Sequence, residues 1–367
     1  MVKAHIIIIG DEILDGTIQD IHVKRQANWL KSIGIHLNSV SFSRDDKDEL
    51  LKQLSQATKS CQIVLTTGGL GPTHDDKTKY ILADFISAEL KENKVAETIA
   101  IHNYKRIDKE WKKGKNGYHL IPSGVIALEN PVGLAPGLCY EDSKNIILCA
   151  PGVPRELYAM SSEIFGPIIT KKYKSELTTF NQFVVRTHSI PEEQIFINNG
   201  PEFWETLERF GKVSSLPQSS GVDIRITLSE HDDKKREQDI SSLREIFATS
   251  LIKDNIWQYG DLSLEEYILK KCREKSLTLS IAESCTGGFV SSLFTDVSGC
   301  SDVFMGSAVT YSNESKIAIL GVKEETIKKH GAISNEVVRE MSAGSLKAYN
   351  ANIAVSYSGI AGPGGGT

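Results

Sequence analysis

Hydrophobic positions open the chain as an unbroken β-branched run, Ile6 to Ile9, closed by Gly10. Such a run is too short for a helix and suits a parallel strand buried on both faces. The period then changes. Val23, Ala27, Leu30 and Ile33 recur at helical spacing, with Gly34 where the helix would end. His36 to Phe42 alternates loosely and predicts a second strand; Leu50, Leu51, Leu54 and Ala57 mark a second helix, and Ile63 to Leu65 a third strand. A later strand, Asn145 to Cys149, runs into Pro151-Gly152-Val153-Pro154. This alternation predicts a doubly wound α/β domain over residues 1–169, with its loops gathered at the carboxyl ends of the strands.

The pattern shifts in the middle. Phe180 to Arg186 and Gly221 to Leu228 read as strands, Pro191 to Phe203 contains a helix, and the charged run Glu230 to Glu237 opens a long helix through Leu251. A small α+β sandwich of ferredoxin-like type over 170–257 fits, and a spacer or dimer-forming role suits it. A second α/β section, 258–367, begins with Ser263 and Glu266 spaced as a capping box. Strands are expected over Leu277 to Ala282, Val303 to Thr310 and Ile353 to Tyr357, with helices from Gly287 and over Asn335 to Tyr349. The chain then enters Gly359-Ile360-Ala361-Gly362-Pro363 and a run of glycines, so the third domain reads as unfinished.

Composition narrows the function classes. The chain has 367 residues with 40% hydrophobic and 24% charged positions, which excludes wholesale disorder. Forty-two basic against 47 acidic residues leave a net charge of −5, so a generic polyanion binder is not expected. Four aliphatic residues in a row make neither a membrane span nor a signal core, and the chain reads as cytoplasmic. The six cysteines lack any C-x-x-C pair, so neither a disulfide framework nor a zinc knuckle is expected.

Candidate chemistry gathers in two places. In the first domain, Gly10-Asp11-Glu12 follows strand one and Thr67-Gly68-Gly69-Leu70-Gly71-Pro72-Thr73-His74-Asp75-Asp76 follows strand three. The fold should bring both to one sheet edge, where Gly68, Gly69 and Gly71 let the backbone approach a phosphate and Thr73 lies in the same loop. Asp11, Glu12, Asp75 and Asp76 would repel one another there without a divalent cation, so they are the candidate Mg²⁺ ligands; capping of the next helix is the plainer role for Asp75 and Asp76. The turns around Pro136-Gly137 and Pro151 to Glu156 would wall the same pocket, with Arg155 available to a phosphate. In the third domain, Ala282-Glu283-Ser284-Cys285-Thr286-Gly287-Gly288 leaves a strand and enters a helix. Ser284 is the candidate nucleophile, Lys316 its base and Tyr311 a relay or orienting hydroxyl, with Cys285 a rival nucleophile. Thr286, Gly287 and Gly288, together with Gly359 and Gly362 of the last loop, are the expected substrate-binding positions.

Taken together, Gly10-Asp11-Glu12, Thr67-Gly68-Gly69-Leu70-Gly71-Pro72-Thr73 with Asp75-Asp76, Ala135-Pro136-Gly137, Pro151 to Glu156, Ala282 to Gly288, Thr310 to Glu314 with Lys316, and Ser358 to Pro363 resemble the competence/damage-inducible protein A (CinA) family. The resemblance spans essentially the whole chain in the family's motif order. It implies a MoaB/MogA-like amino-terminal domain, a KH-like middle domain and a carboxyl-terminal amidohydrolase domain. It further implies cleavage of ADP-ribose to AMP and ribose 5-phosphate with a divalent metal, deamidation of nicotinamide mononucleotide to nicotinate mononucleotide, and a homodimer. Carried across, Ser284 is the nucleophile, Lys316 the base and Tyr311 an assisting hydroxyl; Asp75 and Asp76 serve the metal or diphosphate.

The chain departs from the family pattern at three points. His22 stands in place of an amide, and Ser189 where glycine is usual. The family's deamidase continues past the glycine loop with further strands and a substrate-binding arginine, so an exposed sheet edge and weak or absent deamidase activity are expected of this form. Two other readings stay open: a pterin-binding module on the same fold, and a competence-associated nucleic-acid binder using the middle domain. Nucleic acid is the less expected partner, because the middle section lacks a G-x-x-G clamp and the net charge is negative.

Overall fold

The computed structural model describes residues 2–73, 76–178, 180–218, 221–229, 232–362 and 364. Its first domain is built on a six-stranded sheet in the order His36–Ser43, Lys3–Ile9, Ile63–Thr67, Ile146–Ala150, Gly137–Glu141, Ile126–Leu128. The first four are mutually parallel, with Ile6 beside Val40 and Leu65, and Leu65 beside Leu148. The last two run antiparallel to their neighbours, so the sheet is mixed. The Asn130 to Gly137 turn is short enough to join two strands as a hairpin, which a parallel pairing does not allow.

Strand side chains alternate between the two faces, and the core divides accordingly. Ala4, Ile6 and Ile8, with Leu65 and Leu148, pack beneath Leu30, Leu157, Met160, Phe165 and Ile169. Ile7, Ile9, Val64 and Ile147 face Leu50, Leu54, Ala57, Ile81, Leu82, Ala96 and Ile99. Helices therefore cover both faces, which is why the first strand is apolar without interruption: six of its seven residues are buried. This is the doubly wound arrangement that the periodicity predicted.

The chain divides into two compact units, Met1–Phe183 with Asn199–Ser214 and Arg225–Ser250, and Val184–Asn198 with Ser215–Ile224 and Leu251–Thr367. The middle section is α+β, with strands Gln182–Thr187, Gly211–Pro217, Val222–Leu228 and Ile256–Tyr259 and helices Glu192–Glu208 and Asp233–Thr249. The first of these helices is broken at Gly200 (φ 67°, ψ 174°), just before Pro201. A proline ring would clash with a helical carbonyl upstream, and the glycine supplies the turn that avoids it.

In the carboxyl-terminal section a parallel three-stranded sheet runs in the order Phe304–Val309, Leu279–Glu283, Ile353–Tyr357. One face meets Leu269, Cys272, Phe294 and Val303; the other meets Leu320, Val337 and Met341. The helix Leu264–Glu274 opens with the predicted capping box, Ser263 accepting from the Glu266 amide and Glu266 reaching back to the Ser263 amide at 2.7 Å. No helix of the described residues is long and apolar enough to cross a membrane. All six cysteines are free: Cys61, Cys139, Cys149 and Cys272 are buried, Cys285 and Cys300 half-buried.

Candidate functional site

The three strands of the last sheet end in register, Glu283 lying beside both Val309 and Tyr357. The loops that leave them, 284–288, 310–312 and 358–362, therefore emerge side by side. Ser284 begins the first loop, its amide tied to the Tyr357 carbonyl at 2.9 Å. Lys316 lies in the first turns of the helix Asn313–Leu320, which is capped by Ser312. Helical side chains tilt toward the amino-terminal end, and Lys316 shares a buried face with Leu320, so its amine is carried back toward the strand ends.

There, Lys316 Nζ lies 3.0 Å from Ser284 Oγ, 2.9 Å from the Thr310 carbonyl and 3.0 Å from the Tyr311 carbonyl. Lys316 is only 2% exposed and Ser284 7%. Among the described residues no carboxylate forms an ion pair with Lys316. Burial pushes the Lys316 amine below the ordinary lysine value, against a small opposing influence of Cys285. In its neutral form the amine spends its two hydrogens on the two carbonyls. Its lone pair is then left for the serine hydroxyl, the geometry of a general base.

Ser284, Lys316, Tyr311, Gly359 and Gly362 all line one cavity of about 320 Å³. A neighbouring cavity of about 510 Å³ is lined by Thr286, Ser334, Asn335 and Ser356; Cys285, Ile333 and Ser358 line both. Tyr311 enters through its carbonyl, while its side chain is 68% exposed and its hydroxyl makes no hydrogen bond among the described residues. Gly287 and Gly288 hold left-handed conformations, φ 60° and 100°. The amides at the start of the following helix are not free: those of Gly288, Val290 and Ser291 all donate to Glu283. Sequence reasoning passed over Glu283. Its signal was a carboxylate ending an otherwise apolar buried strand.

In the first domain, the loops after strands Lys3–Ile9, Ile63–Thr67 and Ile146–Ala150 also meet at one edge. A Cβ on Gly68 (φ 111°) would stand 2.2 Å from the Ile9 carbonyl oxygen, and one on Gly152 3.3 Å from Gly68 Cα. Thr67 Oγ1 donates to Pro151 O at 2.9 Å, and Thr78 Oγ1 to Gly68 O at 2.8 Å. Gly69 (φ 66°) abuts Thr78 and Gly71 abuts Asp76. The Asp76 carboxylate accepts from the Gly71 amide at 2.7 Å and from the Thr73 amide at 2.8 Å. It thus organises the loop as well as facing it.

The other expected residues are distributed unevenly. Asp11 is exposed and paired with Arg44 at 3.2 Å. The Glu12 carboxylate folds back to within 2.9 Å of where a Gly10 Cβ would stand. Asp75 lies outside the described residues. Arg155 is exposed and Pro136 buried. Gly137 is packed against Met160, where a Cβ would meet Cε at 2.1 Å, so its smallness serves the core. Among the described residues no three His, Cys, Asp or Glu side chains gather closely enough to share a metal ion. The described ones among them form no cation cage of their own, so a divalent ion held there would be shared with substrate phosphates.

Two buried basic side chains lie at this edge; sequence reasoning passed over Lys79 and noted His22 only as a departure from the family pattern. Lys79 is 8% exposed and donates to Gly117 O at 2.8 Å; burial lowers its pKa and Asp76 opposes that. His22, the departure noted above, is 6% exposed with Nδ1 unpartnered. Burial lowers its pKa, against Asp20 and a hydrogen bond to the Gly152 backbone.

Fold and site together define a two-part α/β protein, a MoaB/MogA-like domain joined to a domain with a buried serine–lysine pair. Residues 5–171 match the family model described as "Probable molybdopterin binding domain" and residues 261–367 the "CinA C-terminal domain". A CinA-like protein of Thermotoga neapolitana is 35% identical over 371 residues, covering 100% of this chain and 87% of the relative. A CinA-like protein of Kosmotoga olearia is 35% identical over 365 residues, with the same coverage. The chain belongs to the CinA family. Among solved structures, CinA of Thermoplasma acidophilum is 27% identical, with a TM-score of 0.40, over 48% of this chain and 97% of its own. The competence/damage inducible protein CihA of Agrobacterium tumefaciens is 41% identical, with a TM-score of 0.28, over 28% of this chain and 63% of its own.

Proposed function

We propose that this protein is a two-site hydrolase of pyridine-nucleotide recycling. Its carboxyl-terminal domain removes the amide of nicotinamide mononucleotide, and its first domain cleaves ADP-ribose to AMP and ribose 5-phosphate with Mg²⁺. The observation that carries the first half is the buried Lys316 amine, whose two carbonyl partners leave its lone pair to Ser284. Lys316 takes the Ser284 proton as Oγ attacks the carboxamide carbon. The ammonium then returns that proton to the leaving nitrogen, which departs as ammonia. The resulting acyl-serine is opened by water, with Lys316 taking a proton from the water and passing it to Oγ. The Cys285 and Thr286 amides donate no hydrogen bond among the described residues and would be the donors that meet the oxyanion.

The glycine-lined loop at 68–71 and family membership carry the second half. Asp76 holds the loop against which a diphosphate would lie. A divalent ion there would supply charge neutralisation shared with the phosphates, and Asp76 would be its described carboxylate partner. The description of the first family model favours pterin binding as a second reading. One experiment tests all of this: incubate the protein separately with nicotinamide mononucleotide and with ADP-ribose plus Mg²⁺, then chromatograph the products. Ammonia with nicotinate mononucleotide, and AMP with ribose 5-phosphate, support the two halves. Tight pterin binding without AMP release favours the second reading.

A further inference from the structure

The loop that carries Ser284 contains two left-handed glycines, Gly287 and Gly288, so its own backbone gives it little stiffness. Its stiffness comes from below. Glu283, the last residue of the central strand, is 0% exposed. Its Oε2 accepts from the Gly288 amide at 3.0 Å and the Val290 amide at 3.1 Å; its Oε1 accepts from the Ser291 amide at 2.8 Å and from the Ser291 hydroxyl. Burial alone would raise this carboxyl's pKa, but the Ser291 and Thr286 hydroxyls and the Ser291 and Val290 amides outweigh it and hold the group ionised. The same residue reaches the base. The Glu283 carbonyl accepts the Thr310 amide at 2.7 Å, and the Thr310 carbonyl in turn accepts from Lys316 Nζ at 2.9 Å.

We propose that Glu283 is a positioning residue of the Ser284–Lys316 pair, its carboxylate fixing the loop that presents Ser284 while its carbonyl fixes the strand end that orients Lys316. The inference rests on the reading of Ser284 as nucleophile. By taking the amides of 288, 290 and 291, the carboxylate draws the helix start beneath the loop, while those of Cys285 and Thr286 stay without an acceptor among the described residues. Each carboxylate oxygen meets two donors. A glutamine in either orientation would turn an NH₂ group toward at least one backbone N–H that cannot accept from it, so Glu283→Gln impairs the fit while nearly preserving the volume.

The test uses the full chain and a fluorophosphonate, which phosphonylates an activated serine whatever the natural substrate. Labelling of Ser284 is read by peptide mass, folded fraction by circular dichroism at the same temperature, and kcat and KM on nicotinamide mononucleotide. Glu283→Gln is expected to slow labelling about tenfold or more and to lower kcat similarly, with KM and folded fraction near those of the unaltered protein. Labelling at the unaltered rate, or slowed only in proportion to lost folded protein, overturns the proposal. If Glu283→Gln does not fold, Ser291→Ala decides. It removes one of the two donors to Oε1 without leaving a buried charge bare, and about a threefold or larger fall in labelling is expected; an unchanged rate overturns the proposal. Unaltered protein that takes no label at Ser284 would instead remove the nucleophile reading, and this inference with it.

Discussion

At the scale of single residues, Lys316 decides most. Its neutral form is the reactive one, and burial lowers its pKa, so the fraction able to act as base grows as pH rises through a value below the ordinary lysine range. The rate of ammonia release should therefore climb with pH and level off before pH reaches about 10.4, the free-lysine value. Lys316→Arg keeps the charge and cannot deprotonate, so it should lower kcat by at least about 10²-fold across the whole pH range, read in the same assay. A residual rate that still followed the original pH profile would assign the base elsewhere. At the other site, Gly68→Ala sets a Cβ 2.2 Å from a main-chain oxygen at φ 111°. Unfolding by denaturant should show a loss of about 2 kcal/mol or more, because a backbone atom cannot swing away as a side-chain tip can.

Elements carry the next set of effects, and here the sequence was uneven as a guide. Strongly periodic pieces were legible: the run Ile6 to Ile9 lies within the strand Lys3–Ile9, the spacing of Val23, Ala27 and Leu30 within the helix His22–Ser32, and Asn335 to Tyr349 coincides with its helix. Short strands such as Leu90–Glu92 and Ile126–Leu128 offer three residues each, too few for any period to show. The strand Ile256–Tyr259, which pairs antiparallel with Gln182–Thr187, was missed for a similar reason. The Ser284–Lys316 pairing was readable from motif order, since two parallel strand ends bring such loops together. Which amides were already taken was not readable, because a carboxylate such as Glu283 looks like any surface charge until its strand is known to be buried. Two element-level predictions follow from caps and turns. Ser189 sits at φ 53° and is exposed, in a region that costs an L-residue about 1 kcal/mol, so Ser189→Gly should stabilise the fold by about 0.5 kcal/mol in denaturant titration, the looser unfolded chain offsetting the rest. Ser263→Ala breaks the capping box and should cost about 1 kcal/mol by the same measurement.

For the molecule as a whole, the two candidate sites lie in different compact units, Asp76 in one and Ser284 in the other. Their chemistries should separate genetically. Ser284→Ala is expected to abolish ammonia release and leave AMP release from ADP-ribose near its unaltered rate. Asp76→Ala, which removes the acceptor of the Gly71 and Thr73 amides, should do the reverse, with a fall of about tenfold or more expected. Side-by-side assays of the two variants check both outcomes, and joint loss of both activities in either variant would contradict two independent centres.

The amine of Lys316 is held by main-chain oxygens, those of Thr310 and Tyr311, and every amino acid carries that oxygen. Substitutions other than proline at 310 and 311 would thus leave both oxygens in the chain whichever side chain was installed. The orientation they impose is inherited from the route of the polypeptide. Retuning it would require rerouting the turn by insertion or deletion, a rarer event in evolution than point substitution.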